Sequence, residues 1–370
     1  MLLLIVESIS SIAWFHNNRS NYDSKLASID VIQAISHRLK NHFNPEKSKY
    51  EMIKELREKD KVIYPYYVYN PQLHLNNSIY HLSNPINSNI IYCNESNYWA
   101  SFTTDEIGFR NPSGQLEGEI DYIFIGDSFT AGACVKDGST VADYFRAAGY
   151  SILNLGRGGS GPLFQLAVLR EYGKSVKSKN VIWYIYTGND LMNLREEKTT
   201  KLSSYLNDDS FTQDLYIKRK QNSDSLKHFL DNEIVLNDKR FQLGLNLPYQ
   251  KLYGETLDVI DAEHKELELL NIVSNKIYQT ANQLNAELTL VLINENHINK
   301  DKERLRHDLA NITTRNMVKF ANDNNLNYLQ LNTDQLIIDF DSLYSDKGIH
   351  FSEKGYEYIS NLVQSILVMD

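Results

Sequence analysis

From residue 120 onward the chain alternates short apolar runs with longer stretches of helical periodicity. That alternation narrows the fold more than any other feature. The runs are 122-YIFI-125, Ser151–Leu155, 181-VIWYIYT-187, 288-LTLVLI-293 and 326-LNYLQL-331. Near-continuous runs of this length read as strands buried on both faces. Helices are predicted over Thr140–Ala148, from Leu163 with Pro162 in the first turn, over 258–284, around 302–322, and over 352–369 with Ser352 as N-cap. Strands alternating with helices imply an α/β fold, a parallel sheet with helices on both faces. Ligands of such sheets bind at the carboxyl ends of the strands.

The first third of the chain is different. Residues 20–60 carry helical periodicity through Leu26, Ile29, Ile32, Ile35 and Leu39, whereas 62–118 are aromatic, rich in Asn and Ser, and read as strands and loops. Residues 1–118 are therefore an N-terminal accessory region that packs on the remainder of the chain. Residues 2–6 are wholly apolar, but Glu7 and several serines end the run well short of the about 20 apolar residues a spanning helix needs. Residues 1–15 are a candidate membrane-proximal segment: a short signal-anchor, the tail of one, or an ordinary amphipathic helix. A soluble cytoplasmic protein is narrowly favoured over a membrane-associated or extracytoplasmic one. A second irregular stretch, 195–257, is charged and too long for a simple connection, so it reads as an insertion near the site, with a lid as one reading. The net charge of -9 and the lack of any Lys/Arg block argue against a nucleic-acid partner. Oligomeric state is not encoded in any feature of the sequence.

Four segments leave strand ends or enter the last helix. They are Gly126-Asp127-Ser128, 154-NLGRGGSGP-162, Thr187-Gly188-Asn189-Asp190 and 345-SDKGIHFSEKGY-356. A serine, the amides of a glycine loop, an amide side chain and an Asp–His pair are the parts of an acyl-transfer site. Each has a plainer reading on its own. Ser128 is a fitting N-cap, with a helix N-terminus behind it. The glycines make a tight turn, Asn189-Asp190 is an ordinary strand end, and His350 is a solvated loop histidine like His74, His81 or His297. Residues 156–161 also satisfy G-x-G-x-x-G, but on the second strand and without a ribose-binding acid at the expected distance, which disfavours a dinucleotide site. Cys93 and Cys134 have no metal-ligand spacing. A disulfide between them is one reading; two free thiols, with Cys134 as a small buried hydrophobe, are at least as well supported. No two histidines show a ligand spacing either, so neither metal nor cofactor is expected.

The four blocks, in this order, resemble those of the SGNH (GDSL-type) hydrolase family over about 120–370. Upstream, 107-IGFRNPSG-114 is similar to a segment that often precedes the first block in membrane-linked bacterial members. The resemblance implies a three-layer α/β/α sandwich of flavodoxin-like kind over 119–370. It implies Ser128 as nucleophile, His350 as general base, and an oxyanion hole made of the Ser128 and Gly159 N–H groups and the Asn189 amide. The family's acid stands three residues before the histidine, where this chain has Lys347. Asp346, four before, is the expected acid, with Asp341, Asp339 or a Ser–His dyad as alternatives. A structural role is favoured for Arg110, paired with an acidic group inside the protein.

The resemblance makes the expected activity serine-dependent ester hydrolysis, on small acyl esters such as O-acetyl groups of a carbohydrate. Two alternatives stay open: an O-acyltransferase acting on a cell-surface polysaccharide, and a non-catalytic binding protein that keeps the fold. The displaced Asp346 is what favours the last.

Overall fold

A computed structural model of the chain describes residues 48–68, 80–242, 259–294, 304–331, 340–346 and 350–367. The candidate membrane-proximal segment 1–15 and most of the helical stretch expected over 20–60 lie outside the described residues. Among the described residues no helix is long and apolar enough to cross a membrane.

The N-terminal region contributes helix α1 (Lys49–Glu58), whose capping box joins Ser48 and Glu51, and three short strands. Strand β1 (Ile63–Pro65) runs parallel to β2 (Asn89–Ile91), and β3 (Ser101–Thr103) lies antiparallel on β2's other edge.

The second sheet is the frame of the molecule. Its strands are β4 (Glu119–Ile125), β5 (Ile152–Asn154), β6 (Lys177–Tyr186), β7 (Glu287–Ile293) and β8 (Tyr328–Leu331). They are all parallel, in the order β5-β4-β6-β7-β8. The chain leaves β4 toward β5 on one side and returns to β6 on the other. The connections therefore diverge between β4 and β6, which opens a crevice at the carboxyl ends of those two strands. Ser128 and Asn189 follow those ends by three residues each.

Helices cover both faces, as the apolar runs require. They are α2 (Val141–Ala147), α3 (Pro162–Tyr172), α4 (Asp190–Glu197), α5 (Ser203–Asn207), α6 (Arg219–Gln242), α7 (Val259–Gln283), α8 (Arg304–Asp323) and α9 (Glu353–Leu367). On one face α3, α7 and α8 bury Leu163, Leu166, Ile277 and Met317 against Ile123, Trp183 and Leu290. On the other, α2 and α9 bury Phe145, Tyr356, Ile359 and Val363 against Phe124, Ile182, Tyr184 and Val291. The fold is the three-layer α/β/α sandwich with a parallel sheet.

The N-terminal region is not an appendage. Leu82, Ile107 and Phe109 belong to the main core. Tyr64, Tyr66, Tyr67, Ile90, Tyr92 and Phe102 form another with Ala131, Ala133 and Cys134, just after Ser128. Arg110 does play the structural role expected for it. It donates to the carbonyls of Gly132 (2.6 Å) and Val135 (3.0 Å) and pairs with Asp137 (2.8 Å). Asn111 accepts from the Asn154 N–H and donates to the Asn154 carbonyl, which ties the same segment to the end of β5.

The insertion is only partly described, and residues 243–258 lie outside. Its first part is packed rather than free to cover the site. Leu202, Tyr205 and Leu215 are buried in the main core. The buried carboxylate of Glu171 on α3 accepts from Tyr205 Oη, the Gln213 N–H and the Leu215 N–H.

Glu197 settles the glycine-loop ambiguity. At the N-terminus of α3 its carboxylate accepts from the N–H groups of Gly161, Leu163 (3.0 Å) and Phe164 (3.1 Å). Those are the donors that a pyrophosphate would need, and the chain fills them with its own acid. Each donor left unmet in this buried place costs about 1–3 kcal/mol. Glu197→Ala is expected to lower the unfolding free energy by roughly 3 kcal/mol or more in urea titration.

Candidate active site

Strand β4 ends at Ile125, and the next residues form a tight turn with no α-helix before Val141. The helix expected behind Ser128 is absent. Gly132 (φ 70°) and Cys134 (φ 63°) both hold left-handed backbone, and Arg110 draws the Gly132 and Val135 carbonyls off any helical path. The capping role falls to Asp127, which accepts from the Phe129 N–H at 3.0 Å. Ser128 is left free of it. Its hydroxyl donates to Asp127 Oδ2 at 3.3 Å, and no hydrogen bond joins it to His350 among the described residues.

The glycine loop is fastened to this turn. The Arg157 N–H donates to the Gly126 carbonyl, and Asn154 Nδ2 donates to the Thr130 carbonyl. Side chains are excluded here by close approach: a Cβ on Gly158 would stand 2.0 Å from Tyr92 Oη. Gly159 adopts φ 75°, a left-handed conformation that favours glycine, and among the described residues its N–H donates no hydrogen bond. Its carbonyl accepts from Asn193 Nδ2, one turn beyond Asn189 on α4. Asn189 heads that helix without capping it, and its buried Oδ1 has no hydrogen-bond partner among the described residues. The structure thus gathers the Ser128, Gly159 and Asn189 segments around one crevice.

His350 closes the group from the C-terminal side, its ring 5.3 Å from that of Phe129. The acid beside it is not Asp346. The Asp346 side chain is exposed and accepts from Asn97 Nδ2 at 2.8 Å. Glu95, from the loop between β2 and β3, sets Oε1 2.8 Å from His350 Nδ1, and its Oε2 accepts from the His350 N–H (3.0 Å) and from Ser345 Oγ (2.9 Å). The extra residue ahead of His350 puts Asp346 out of reach, and the N-terminal region supplies a carboxylate in its stead. Asp339 lies outside the described residues, and Asp341 falls in the short turn Phe340–Leu343. Burial raises the Glu95 carboxyl, but the hydrogen bond and charge of His350, with the Ser345 hydroxyl, outweigh it and hold the group below the usual carboxylate range.

Cys93 and Cys134 are joined in a disulfide, not left as free thiols. The bridge depends on β2 lying over the Ser128 turn, which the sequence alone does not reveal. Had the pair been read as a bridge, Glu95, two residues from Cys93, would have been placed beside Ser128. Glu95, Cys134 and His350 each bring one ligand-type atom within 4.8 Å of the others, but the Cys134 sulfur is already committed to Cys93. His81, expected in solvent, is buried against the Tyr67 ring.

Behind Ser128 lie two wholly buried carboxyls. Burial raises Asp127 to about 6, against the Phe129 N–H and the His350 charge. Burial and then the neighbouring Asp127 push Asp190 well above the usual range, which favours its protonated form.

The Ser128 turn, the glycine loop, the strand-end Asn189 and the His350–Glu95 pair thus stand together at the carboxyl ends of a parallel sheet, the arrangement of an ester hydrolase. The profile of the GDSL-like lipase/acylhydrolase family matches residues 122–363, and the chain belongs to that family. No curated protein matches it. Among solved structures, it is similar to a GDSL-like lipase from Bacteroides thetaiotaomicron at 13% identity, TM-score 0.38, over 68% of this chain and 89% of that one. A member of the lipolytic G-D-S-L family from Veillonella parvula aligns at 12% identity, TM-score 0.39, over 67% and 98%. A two-domain esterase active on acetylated mannans, co-crystallised with mannopentaose, aligns at 13% identity, TM-score 0.37, over 69% and 50%.

Removing the carboxylate charge while keeping the shape separates the two candidate acids. Glu95→Gln is expected to lower kcat by roughly 10³–10⁴, and Asp346→Asn to leave it within about twofold, since an exposed carboxylate contributes little. Steady-state rates on an aryl acetate check both. The buried pair gives a pH test. Carboxyls raised on folding contribute fully below their unfolded values and lose that contribution as pH climbs through the folded ones. Asp190→Asn removes one such loss, so its unfolding free energy is expected to gain on wild type as pH rises above the ordinary aspartate range.

Proposed function

We propose that the protein hydrolyses esters of short acyl groups, such as O-acetyl groups on a carbohydrate, through an acyl-enzyme on Ser128. The observation that carries this is the His350 ring, backed by the buried Glu95 carboxylate at 2.8 Å and set beside the Ser128 turn. Glu95 on Nδ1 fixes the tautomer that leaves Nε2 as the base and stabilises the imidazolium as it forms. In the reaction the Ser128 hydroxyl turns from Asp127 to His350, gives up its proton there, and attacks the ester carbonyl. The oxyanion is met by the Gly159 and Ser128 N–H groups and Asn189 Nδ2. His350 returns the proton to the departing alcohol. Water, activated by the same base, then releases the acid and restores the hydroxyl.

Val68 supports a short acyl group. A Cβ built on Gly159 would meet its Cγ1 at 3.2 Å, so the exposed valine narrows the space beside the oxyanion donor. The disulfide supports work in an oxidising compartment, against the cytoplasmic placement favoured from the sequence. An O-acyltransferase would use the same steps with a sugar hydroxyl in place of water.

A fluorophosphonate probe is expected to label wild type and not Ser128→Ala; equal absence of labelling in both defeats the proposal. Asn189→Ala should lower kcat/KM by about 10²–10³ on an acetyl ester. An added saccharide that captures the acyl group in preference to water would assign the transferase reaction instead.

A further inference from the structure

The Cys93–Cys134 disulfide lies where the acid–base pair is assembled. Cys93 precedes Glu95 by two residues. Cys134 Sγ stands 3.8 Å from His350 Nδ1, the nitrogen that Glu95 Oε1 meets at 2.8 Å. Cys134 also belongs to the turn that starts at Ser128, where the Ala133 N–H donates to the Ser128 carbonyl. One covalent bond thus joins the segment carrying the acid to the turn carrying the nucleophile, and touches the base between them.

We infer that the joined Cys93 and Cys134 are positioning residues for the Glu95–His350 pair, so that reducing this disulfide lowers turnover without loosening substrate binding; the inference rests on the proposed hydrolase activity. Two effects of reduction act together. The first is loss of a tether. The loop carrying Glu95 is closed at its base by the Tyr92 N–H on the Ala100 carbonyl and the Ala100 N–H on the Cys93 carbonyl. Beyond that base, the polar contacts Asn97–Asp346 and Tyr98–Glu353 link it to the C-terminal segment near solvent. The first of these is exposed and the second only part-buried, so both order the loop weakly, and a covalent tie removes freedom that they leave.

The second effect is chemical. A dithiol reductant delivers two electrons and two protons, closes into its own cyclic disulfide, and leaves one thiol on each cysteine. Two non-bonded sulfurs need more room than a bonded pair, in a place where Cys134 has no exposure at all. The Cys134 thiol is also a hydrogen-bonding group beside Nδ1, and so a competitor for Glu95. Cys134 holds φ 63°, and reduction withdraws one of the restraints that keep a non-glycine residue there. Displacements of about 1 Å in such a site can cost ~10² in rate.

The test compares the oxidised and dithiothreitol-reduced full chain, with excess reductant removed and thiols titrated. Reduction is expected to expose two thiols and to lower kcat and the fluorophosphonate labelling rate by roughly 10- to 100-fold. KM should stay within about twofold, and reoxidation should restore the rate. In Glu95→Gln, reduction should change kcat by less than about twofold, because the disulfide acts through a carboxylate already neutralised. The inference is overturned by an unchanged kcat with both thiols titrated, by an equal fold-loss in Glu95→Gln, or by loss of near-UV circular dichroism, which would make the bridge a general stabiliser. The His350 imidazole resonances give a readout that needs no turnover: they should shift on reduction in Ser128→Ala, and resonances that stay put count against the inference. If oxidised wild type is not labelled at Ser128 while those resonances do shift, the hydrolase reading fails and the positioning role stands.

Discussion

The turn from Ser128 to Val135 is held from outside itself, and the site depends on that. It forms no helix of its own. Its carbonyls at Gly132 and Val135 are bound by Arg110, its apolar side is covered by Tyr66, Tyr92 and Phe102, and Cys134 is bonded to Cys93. The turn satisfies some of its own backbone groups, through the Ala131 N–H on the Asp127 carbonyl and the Ala133 N–H on the Ser128 carbonyl, and Arg110 meets the carbonyls of Gly132 and Val135.

The N-terminal region supplies those partners, and also the acid. Glu95, Cys93 of the bridge and Arg110 come from residues before β4, Ser128, Gly159 and Asn189 from loops that follow strands of the sheet, and His350 from the C-terminal segment. The accessory region and the sandwich therefore share cores and complete one site. A carboxylate delivered from a loop is workable here because it is buried, accepts from both Ser345 Oγ and the His350 N–H, and faces the imidazole. Those bonds orient the imidazole.

Charge is managed by burial on either side of the serine. Asp127 and Asp190 lie behind it, pushed toward their protonated forms, while Glu95 keeps its charge because His350 and Ser345 answer it. Glu197 fills the N-terminus of α3 and removes a competing anion site next to the glycine loop. Among the described residues the Gly159 N–H donates no hydrogen bond, and the Glu95 carboxylate faces the His350 imidazole.

The five-strand parallel sheet, the helices α2, α3, α7, α8 and α9 that flank it, and the positions of Ser128, the glycine loop, Asn189 and His350 were legible in the order of residues, whereas α4, α5 and α6 were not, since 195–257 reads as irregular. Each is specified by a local pattern: apolar runs of strand length, Pro162 opening a helix, Ser352 capping another, and polar motifs at strand ends. What a local pattern cannot carry is contact between distant segments. Glu95 and His350 are 255 residues apart, and 93-CNES-96 bears no mark of chemistry until β2 is seen to lie on the Ser128 turn. The absence of a helix after Ser128 was hidden for the same reason, since Arg110 and the disulfide impose it from afar. Local patterns were enough to specify the sheet and the position of Ser128 at a strand end. The carboxylate beside His350 was decided by tertiary contacts, because hydrogen bonds and a disulfide depend on distances in space that spacing along the chain does not record.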